Sequence, residues 1–238
     1  MKKEIVSYRV SIISIVIGLL SINAVFPQVF ENPYAEFKSH DDLTIIQIEI
    51  NKNYTLIDLS VENKLESGGW FCVGKKVILK TSDNKEYCMI RSENIPECPD
   101  KYKFKFAGEV LNFSLYFPPV DPGKGSIDIT EICDEACFFL KGVILDKKLN
   151  TDIRLFEKGL DFYGRGDYQA AIKNLKLVLE EIPPKPSHVY GFSYYYIILS
   201  FLKLDEKNEA EQWFEKLKKS DLPDRQSFIS KIEEMRVF

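Results

Sequence analysis

Hydrophobic and polar residues alternate with a period of two along much of residues 40–148. Four segments place these residues on one side of the chain: Thr44, Ile46, Ile48 and Ile50; Ile57, Leu59 and Val61; Leu111, Phe113, Leu115 and Phe117; Ile127 and Ile129. This period indicates strands with one buried face, because a β-strand points alternate side chains to opposite faces. Turn-forming residues separate the segments, and about seven or eight strands fit the span. The pattern predicts an antiparallel, immunoglobulin-like β-sandwich over residues 40–149.

From residue 151 onward the apolar spacing changes to three and four, the period of an amphipathic helix. Gly159 and Ala171 are small residues at positions where two antiparallel helices would cross closely. Gly166 suits the left-handed backbone that ends a helix, and Asp167 suits the N-cap of the next one. The segment therefore predicts a pair of packed helices.

This pair of helices resembles one tetratricopeptide repeat. Six positions carry the resemblance: Leu155 stands where the family usually has tryptophan, and Gly159, Phe162, Ala171, Leu175 and Pro183 fall on its glycine, tyrosine, small, aromatic and proline positions. A degenerate second copy follows 39 residues later, with Tyr194, Phe201, Ala210, Phe214 and Leu217 at matching positions. The last segment looks like the capping helix of such arrays. The resemblance implies a small all-α domain over residues 150–238.

In this family the first helix of each repeat lines a concave binding face. Carried onto this chain, the resemblance implies a face made of Ile153, Phe156, Leu160 and Tyr163 in the first repeat and Phe192, Tyr195, Leu199 and Leu202 in the second, with Lys203 at its edge. The face lacks the Lys and Asn pairs by which some members clamp a peptide carboxylate. We therefore expect it to bind an apolar strand or helix of a protein partner. The alternative is that the strip packs on the sandwich or on the final helix, since large exposed apolar patches are rare.

The N-terminal residues have the pattern of a targeting segment. Lys2, Lys3 and Arg9 precede 17 uncharged residues at 10–26. A helix of that length spans roughly 25 Å, and a bilayer core needs roughly 30 Å. With the small residue Ala24 near its end, the segment predicts a signal peptide over residues 1–24, followed by a linker over 25–39. The alternative is an uncleaved membrane anchor.

Two further segments of the β-rich half, NIPECPDKYKFKF and LNFSLYFPPV, resemble a domain of exported bacterial proteins of unknown role. That resemblance implies an exported sandwich and brings no catalytic residues with it. It agrees with the predicted signal peptide, and together they favour the periplasm, the cell envelope or secretion as the location of the protein.

All five cysteines lie within residues 40–149, and an exported protein is able to form disulfides. Cys133 and Cys137 flank a short turn between two apolar strands, where a hairpin would bring them within bridging distance, so they are the first expected pair. Cys88 with Cys98 is the second, which leaves Cys72 as a buried free thiol. Acidic residues between Cys133 and Cys137 disfavour a thiolate, so we expect a structural role for this pair.

Composition removes several functional classes. Hydrophobic residues make up 45% of the chain and charged residues 29%, which is ordinary for a globular protein. With 32 basic and 36 acidic residues the net charge is −4, and there is no basic stripe for nucleic acid. The two histidines, His40 and His188, are expected in a solvated linker and an exposed loop. No phosphate loop, metal-ligand pair or cofactor motif is recognisable.

The leading hypothesis is therefore an exported, non-enzymatic module that binds a protein or peptide partner through its helical half. Two alternatives remain open. One is a cell-envelope thiol–disulfide redox factor that uses the sandwich cysteines, and the other is a structural subunit of an envelope complex. Fold class alone does not distinguish them, because function depends on the chemistry of particular sites.

Overall fold

The computed structural model describes residues 27–238 except residues 122, 124 and 135. Twelve β-strands, β1–β12, lie between residues 28 and 144, and five α-helices follow from residue 147. The predicted signal peptide at 1–24 lies outside the described residues.

Ten of these strands form two five-stranded antiparallel sheets. The first sheet contains, in spatial order, β1 (Gln28–Glu31), β3 (Leu43–Ile50), β4 (Thr55–Glu62), β10 (Val110–Phe117) and β8 (Arg91–Glu93). The second contains β2 (Phe37–Lys38), β12 (Phe139–Ile144), β11 (Ser126–Glu131), β6 (Val77–Thr81) and β7 (Glu86–Cys88). A separate two-stranded ribbon pairs β5 (Trp70–Phe71) with β9 (Tyr102–Lys103).

The two sheets share one hydrophobic core. Ile57 and Phe113 from the first sheet belong to the same buried cluster as Leu79 and Ile129 from the second. The predicted alternation on β4, β10 and β11 is confirmed, because the apolar residues named above on these strands are all buried. The β-rich half is thus an antiparallel sandwich, as the alternation predicts.

The predicted row on β3 is wrong in its first half. Ile48 and Ile50 are buried as expected, but Thr44 and Ile46 are exposed, and Leu43 and Ile45 fill the core instead. The pairing register between β3 and β4 shifts at residues 45–47. An extra residue at this bulge reverses which side chains face the core, so one continuous alternation does not describe the strand.

The predicted linker at 25–39 is also wrong, because β1 and β2 lie within it. β1 pairs with β3 in the first sheet, and β2 pairs with β12 in the second. The segment adds an edge strand to each sheet, so the sandwich begins near residue 28 rather than residue 40. Ten strands lie between residues 40 and 148 rather than seven or eight.

The helical half contains α1 (Lys147–Gly164), α2 (Tyr168–Val178), α3 (His188–Lys203), α4 (Lys207–Lys219) and α5 (Arg225–Glu234). Each helix packs on the next, and α3 also contacts α1 and α5. α1 begins three residues before the predicted domain boundary. The expected turn is confirmed, because Gly166 has a φ of +80° and the Asp167 carboxylate accepts a hydrogen bond from the Ala170 N–H at the start of α2.

The first turns of α1 attach the helices to the sandwich. Asn150 is 2% exposed, and its carboxamide oxygen accepts from the Tyr34 N–H while its nitrogen donates to the Ile144 carbonyl, both at 2.9 Å. The Arg154 guanidinium donates to the carbonyl of Glu31 at 3.2 Å. These bonds fix α1 against the segment between β1 and β2 and against the end of β12.

Candidate functional site

The residues expected on the concave face lie on two neighbouring helices, α1 and α3. Seven of the expected residues are half-buried: Phe156, Leu160, Tyr163, Phe192, Tyr195, Leu199 and Leu202. Ile153 is buried, and Lys203 is exposed at the end of α3. The two helices therefore present partly exposed apolar side chains over several turns.

Aromatic side chains of α1 and α3 contact one another, both between the two helices and within α3. The ring centroids of Phe156 and Phe192 are 6.3 Å apart, and those of Tyr163 and Tyr196 are 5.1 Å apart in an edge-to-face arrangement. Tyr195 and Tyr196 are 5.4 Å apart. We call these five residues the aromatic row. Edge-to-face rings at such distances stabilise one another, so the row is held in place by its own contacts.

Tyr196 is central to the aromatic row but is not among the residues expected from the sequence. Tyr196 contacts Phe156, Tyr163 and Tyr195. The family positions select only its neighbour, but Tyr196 lies four residues after Phe192, on the same side of a helix. Helical spacing within α3 was therefore the signal that could have identified it.

The final helix covers one end of the aromatic row. Phe228 on α5 is buried and lies 4.9 Å from Phe192 and 6.3 Å from Tyr195, measured between ring centroids. A Cβ added at Gly191 would overlap the Phe228 ring, which shows how closely α3 and α5 approach. The expected alternative of packing on the final helix therefore holds for this end of the row.

Tyr163 contributes an uncharged hydroxyl group to the aromatic row. Burial raises the pKa of Tyr163 above its ordinary value, and the nearby phenols of Tyr168 and Tyr196 raise it further. A raised pKa keeps the hydroxyl protonated through the neutral range. The face therefore offers hydrocarbon surface with a neutral hydroxyl group at Tyr163.

The cysteines form two disulfides, Cys72–Cys98 and Cys133–Cys137. The second is the pair expected from the sequence, and it closes the loop between β11 and β12. The expected pair of Cys88 with Cys98 is wrong, since Cys88 is an exposed free thiol on β7 and Cys98 bonds to Cys72. Cys72 is nearly buried as expected, but it is oxidised. Two disulfides indicate an oxidising, extracytoplasmic environment.

The disulfides also lie close together in space. Cys72, Cys98 and Cys133 border one cavity of about 280 Å³, together with the buried Glu131. The Glu131 carboxylate accepts hydrogen bonds from the N–H groups of Gly74, at 2.5 Å, and Phe138, at 3.0 Å. Through these two hydrogen bonds, the Glu131 carboxylate links β11 to the segment before β6 and to the segment before β12, beside both disulfides.

His188 is exposed as expected but lies in a helix rather than a loop, whereas His40 differs from its expected place in a solvated linker. His40 is half-buried, its Nδ1 lies 2.7 Å from the Ser39 hydroxyl, and its ring packs edge-on to Phe71. His188 is the first residue of α3, and its Nδ1 lies 2.7 Å from an Asp224 carboxylate oxygen. Within the described residues, no cluster of three or more His, Cys, Asp or Glu side chains is arranged to hold a metal ion.

The fold defines a disulfide-containing β-sandwich protein with a C-terminal array of five helices. No helix in the described part of the chain is long and apolar enough to cross a membrane. Comparisons with protein-family models, with curated proteins and with solved structures find no significant match.

Proposed function

We propose that this protein is an exported, non-enzymatic interaction module that binds an apolar strand or helix of a protein partner. Its β-rich half is of the immunoglobulin-like type, and its helices form a tetratricopeptide-like array. The single observation that carries the proposal is the aromatic row on α1 and α3, whose rings are partly buried against the helical core and keep part of their surface exposed, together with the half-buried Leu160 and Leu199. Export is supported by the predicted signal peptide and by the two disulfides.

The rings of the row pack on the buried core of the helices and on one another, which orders the part of their surface that stays exposed. Phe192 and Tyr195 contact α5, whereas the ring contacts of Tyr163 are with Tyr168 and Tyr196 among the described residues. These ring contacts restrict the side chains before a partner arrives. A surface that is already ordered loses less entropy on binding, so the same contacts give higher affinity.

The proposal is tested by a double substitution, Leu160→Asp with Leu199→Asp. Both leucines are half-buried, and neither packs against the buried core of the helices. We expect the variant to fold and to lose partners that the exported chain captures from the envelope of its native host. The matched control is Leu177→Asp, because Leu177 is 38% exposed on α2, away from the row.

Two results would argue against the proposal. If the double variant keeps every captured partner, the row is not the binding surface. If its unfolding midpoint falls far below that of the Leu177→Asp control, the two leucines serve internal packing, because a charge in a packed apolar site is costly.

The redox alternative has one observation in its favour, namely that both disulfides border a single cavity. It predicts catalysed reduction of a disulfide substrate such as insulin by the reduced protein, with loss of activity in Cys133→Ser. The interaction module predicts no such catalysis. The third hypothesis, a subunit of an envelope complex, predicts stoichiometric co-purification that survives the Leu160→Asp and Leu199→Asp substitutions.

A further inference from the structure

The ribbon of β5 and β9 carries an exposed tryptophan beside the sandwich core. Phe71 points inward, with its ring 5.7 Å from that of Phe113, whereas the neighbouring Trp70 is 43% exposed. The disulfide between Cys72 and Cys98 joins the residue after β5 to the segment before β9. Trp70 therefore projects from a short ribbon that a covalent bond holds in place.

A cavity of about 420 Å³ lies against Trp70, within the size range of ligand pockets. Its lining includes three aromatic residues, two acidic residues and two basic residues: Trp70, Phe71 and Phe104; Asp41 and Asp42; His40 and Lys64. We call this cavity the Trp70 cleft.

Buried hydrogen bonds stabilise the far wall of the Trp70 cleft. Asn63 is 4% exposed, and its amide nitrogen donates to the carbonyls of Leu65, at 3.0 Å, and Phe106, at 2.8 Å. Its carboxamide oxygen accepts from the Leu65 N–H. The loops that close the cleft are thus fixed to one buried side chain, so the cavity does not depend on a ligand for its shape.

The charges around the cleft favour a cation. Among the described residues, the carboxylates of Asp41 and Asp42 make no hydrogen bond or ion pair with another side chain. The ammonium of Lys64 is paired with the Glu62 carboxylate at 2.5 Å, and that of Lys38 donates to the backbone carbonyls of Asp41 and Leu43. Two acidic residues therefore lie beside three aromatic residues, and the ammonium of Lys64, which also lines the cleft, is already paired with a carboxylate.

Trp70 already binds a cation within the chain. The Lys101 ammonium lies 3.5 Å from the centroid of its ring. Lys101 borders the neighbouring cavity of about 280 Å³, which also includes Trp70, and it does not line the Trp70 cleft. A tryptophan face attracts cations through its quadrupole, and the cleft adds carboxylates to that attraction.

We propose that the Trp70 cleft binds an organic cation, an ammonium or guanidinium group carried on a short apolar stem. The carboxylates of Asp41 and Asp42 bind the charged group, and the rings of Trp70, Phe71 and Phe104 contact the stem. This chemistry is shared by a Lys or Arg side chain of a peptide and by a free alkylamine. The site is separate from the aromatic row, so its binding does not depend on the proposed function.

The test uses Trp70 fluorescence in a Trp213→Phe background, which removes the other of the two tryptophans. The probes are blocked Gly-Lys-Gly and Gly-Arg-Gly peptides and n-butylammonium. Their neutral counterparts are the same peptides with norleucine or citrulline at the centre, together with a neutral disaccharide. We expect saturable changes with the cations, weaker binding at high salt, and no saturable change with the neutral probes.

The acidic residues are tested by Asp41→Asn with Asp42→Asn. We expect the affinity for the cationic probes to fall at least about tenfold, because the charged group loses both of its counter-ions. The matched control removes the same charge from α4 by Glu209→Gln with Glu211→Gln, and we expect it to bind as before. Thermal unfolding of both variants shows whether the fold is kept.

The source of the cation follows from the same data. Binding of the peptides and of n-butylammonium alike indicates a free amine site, whereas binding of the peptides alone indicates a side chain within a polypeptide. Equal binding of the neutral probes, unchanged affinity after loss of both aspartates, or no saturable change with any cation would overturn the proposal.

Discussion

Cys88 is exposed on β7, at the edge of the second sheet, and it is the free cysteine of the chain. The other four are covalently paired, although Cys133 and Cys98 are also accessible to solvent to some degree. In the native protein, a thiol reagent therefore has one free cysteine to react with, Cys88.

We predict that a thiol reagent modifies one cysteine per native molecule and five after reduction and unfolding. Replacement of Cys88 by serine should abolish the native reaction and leave four thiols after reduction. Mass spectrometry of the labelled peptides identifies the site. Native labelling of Cys72 or Cys98 would contradict the disulfide between them.

Tyr190 on α3 donates from its hydroxyl to the Asp152 carboxylate on α1, at 2.7 Å, and both residues are almost completely buried. Asp152 also accepts from the Lys148 ammonium at 2.7 Å. Burial is the main cause that raises the pKa of Tyr190, and the hydrogen bond to the Asp152 carboxylate raises it further. The phenol is therefore held neutral inside the helical half.

We predict that Tyr190→Phe lowers the free energy of unfolding by about 1.5–3 kcal/mol near neutral pH, since it removes a hydrogen bond to a charged group. Because the folded pKa of Tyr190 is raised, its contribution is complete below the ordinary value of 10.0 and is lost as the pH rises above it. The difference between wild type and variant should therefore narrow above about pH 10. Chemical denaturation of both proteins between neutral and alkaline pH measures this difference in unfolding free energy. A difference that stays constant with pH would contradict a raised pKa of Tyr190 in the folded state.

At the scale of elements, α1 and α2 cross at Gly159. A Cβ added there would lie 2.7 Å from Cγ of Leu175, a fully buried side chain on α2. Helix propensity favours alanine over glycine by roughly 1 kcal/mol, but such a contact forces the core to shift, which typically costs 1–3 kcal/mol, so packing decides the sign.

We predict that Gly159→Ala destabilises the protein by up to about 2 kcal/mol, net of its gain in helix propensity. Gly164 is the control within the same helix, because a Cβ added there meets nothing within 4 Å. Gly164→Ala should be neutral or slightly stabilising. Thermal or denaturant unfolding measures both variants, and equal effects would show that the crossing is not tightly packed.

The predictability of the elements depends on their length. β4 and β10 have eight residues each, enough for alternation to be visible and correct. β5 and β9 have two residues each, and their pairing comes from the surrounding loops and a disulfide rather than from a pattern. The bulge in β3 shows the same limit, because its position depends on the pairing with β4.

At the scale of the whole molecule, Asn150 joins the sandwich to the helices. We predict that Asn150→Ala lowers the free energy of unfolding by about 1–3 kcal/mol, because it removes two hydrogen bonds that a buried side chain makes to partly buried backbone groups. Hydrogen exchange at the Tyr34 amide should become faster. Arg154→Ala is the control, since its contacts are exposed and its loss should cost under about 1 kcal/mol.

Local sequence patterns predict the order of the two halves, the buried faces of β4, β10 and β11, the helical half and one disulfide. These features are local: a period of two or of 3.6, a cap such as Asp167, or two cysteines across one short turn. Local patterns are visible in sequence because the residues that interact are neighbours along the chain.

Only the tertiary structure decided which distant residues meet. The bond of Cys72 to Cys98 spans 26 residues, and the contact of Tyr34 with Asn150 spans 116. The Trp70 cleft likewise combines residues 40–42, 61–65, 69–71 and 104, none of which forms a motif. Such contacts depend on how both sheets and the first helix pack together, and packing is a property of the whole fold rather than of any segment.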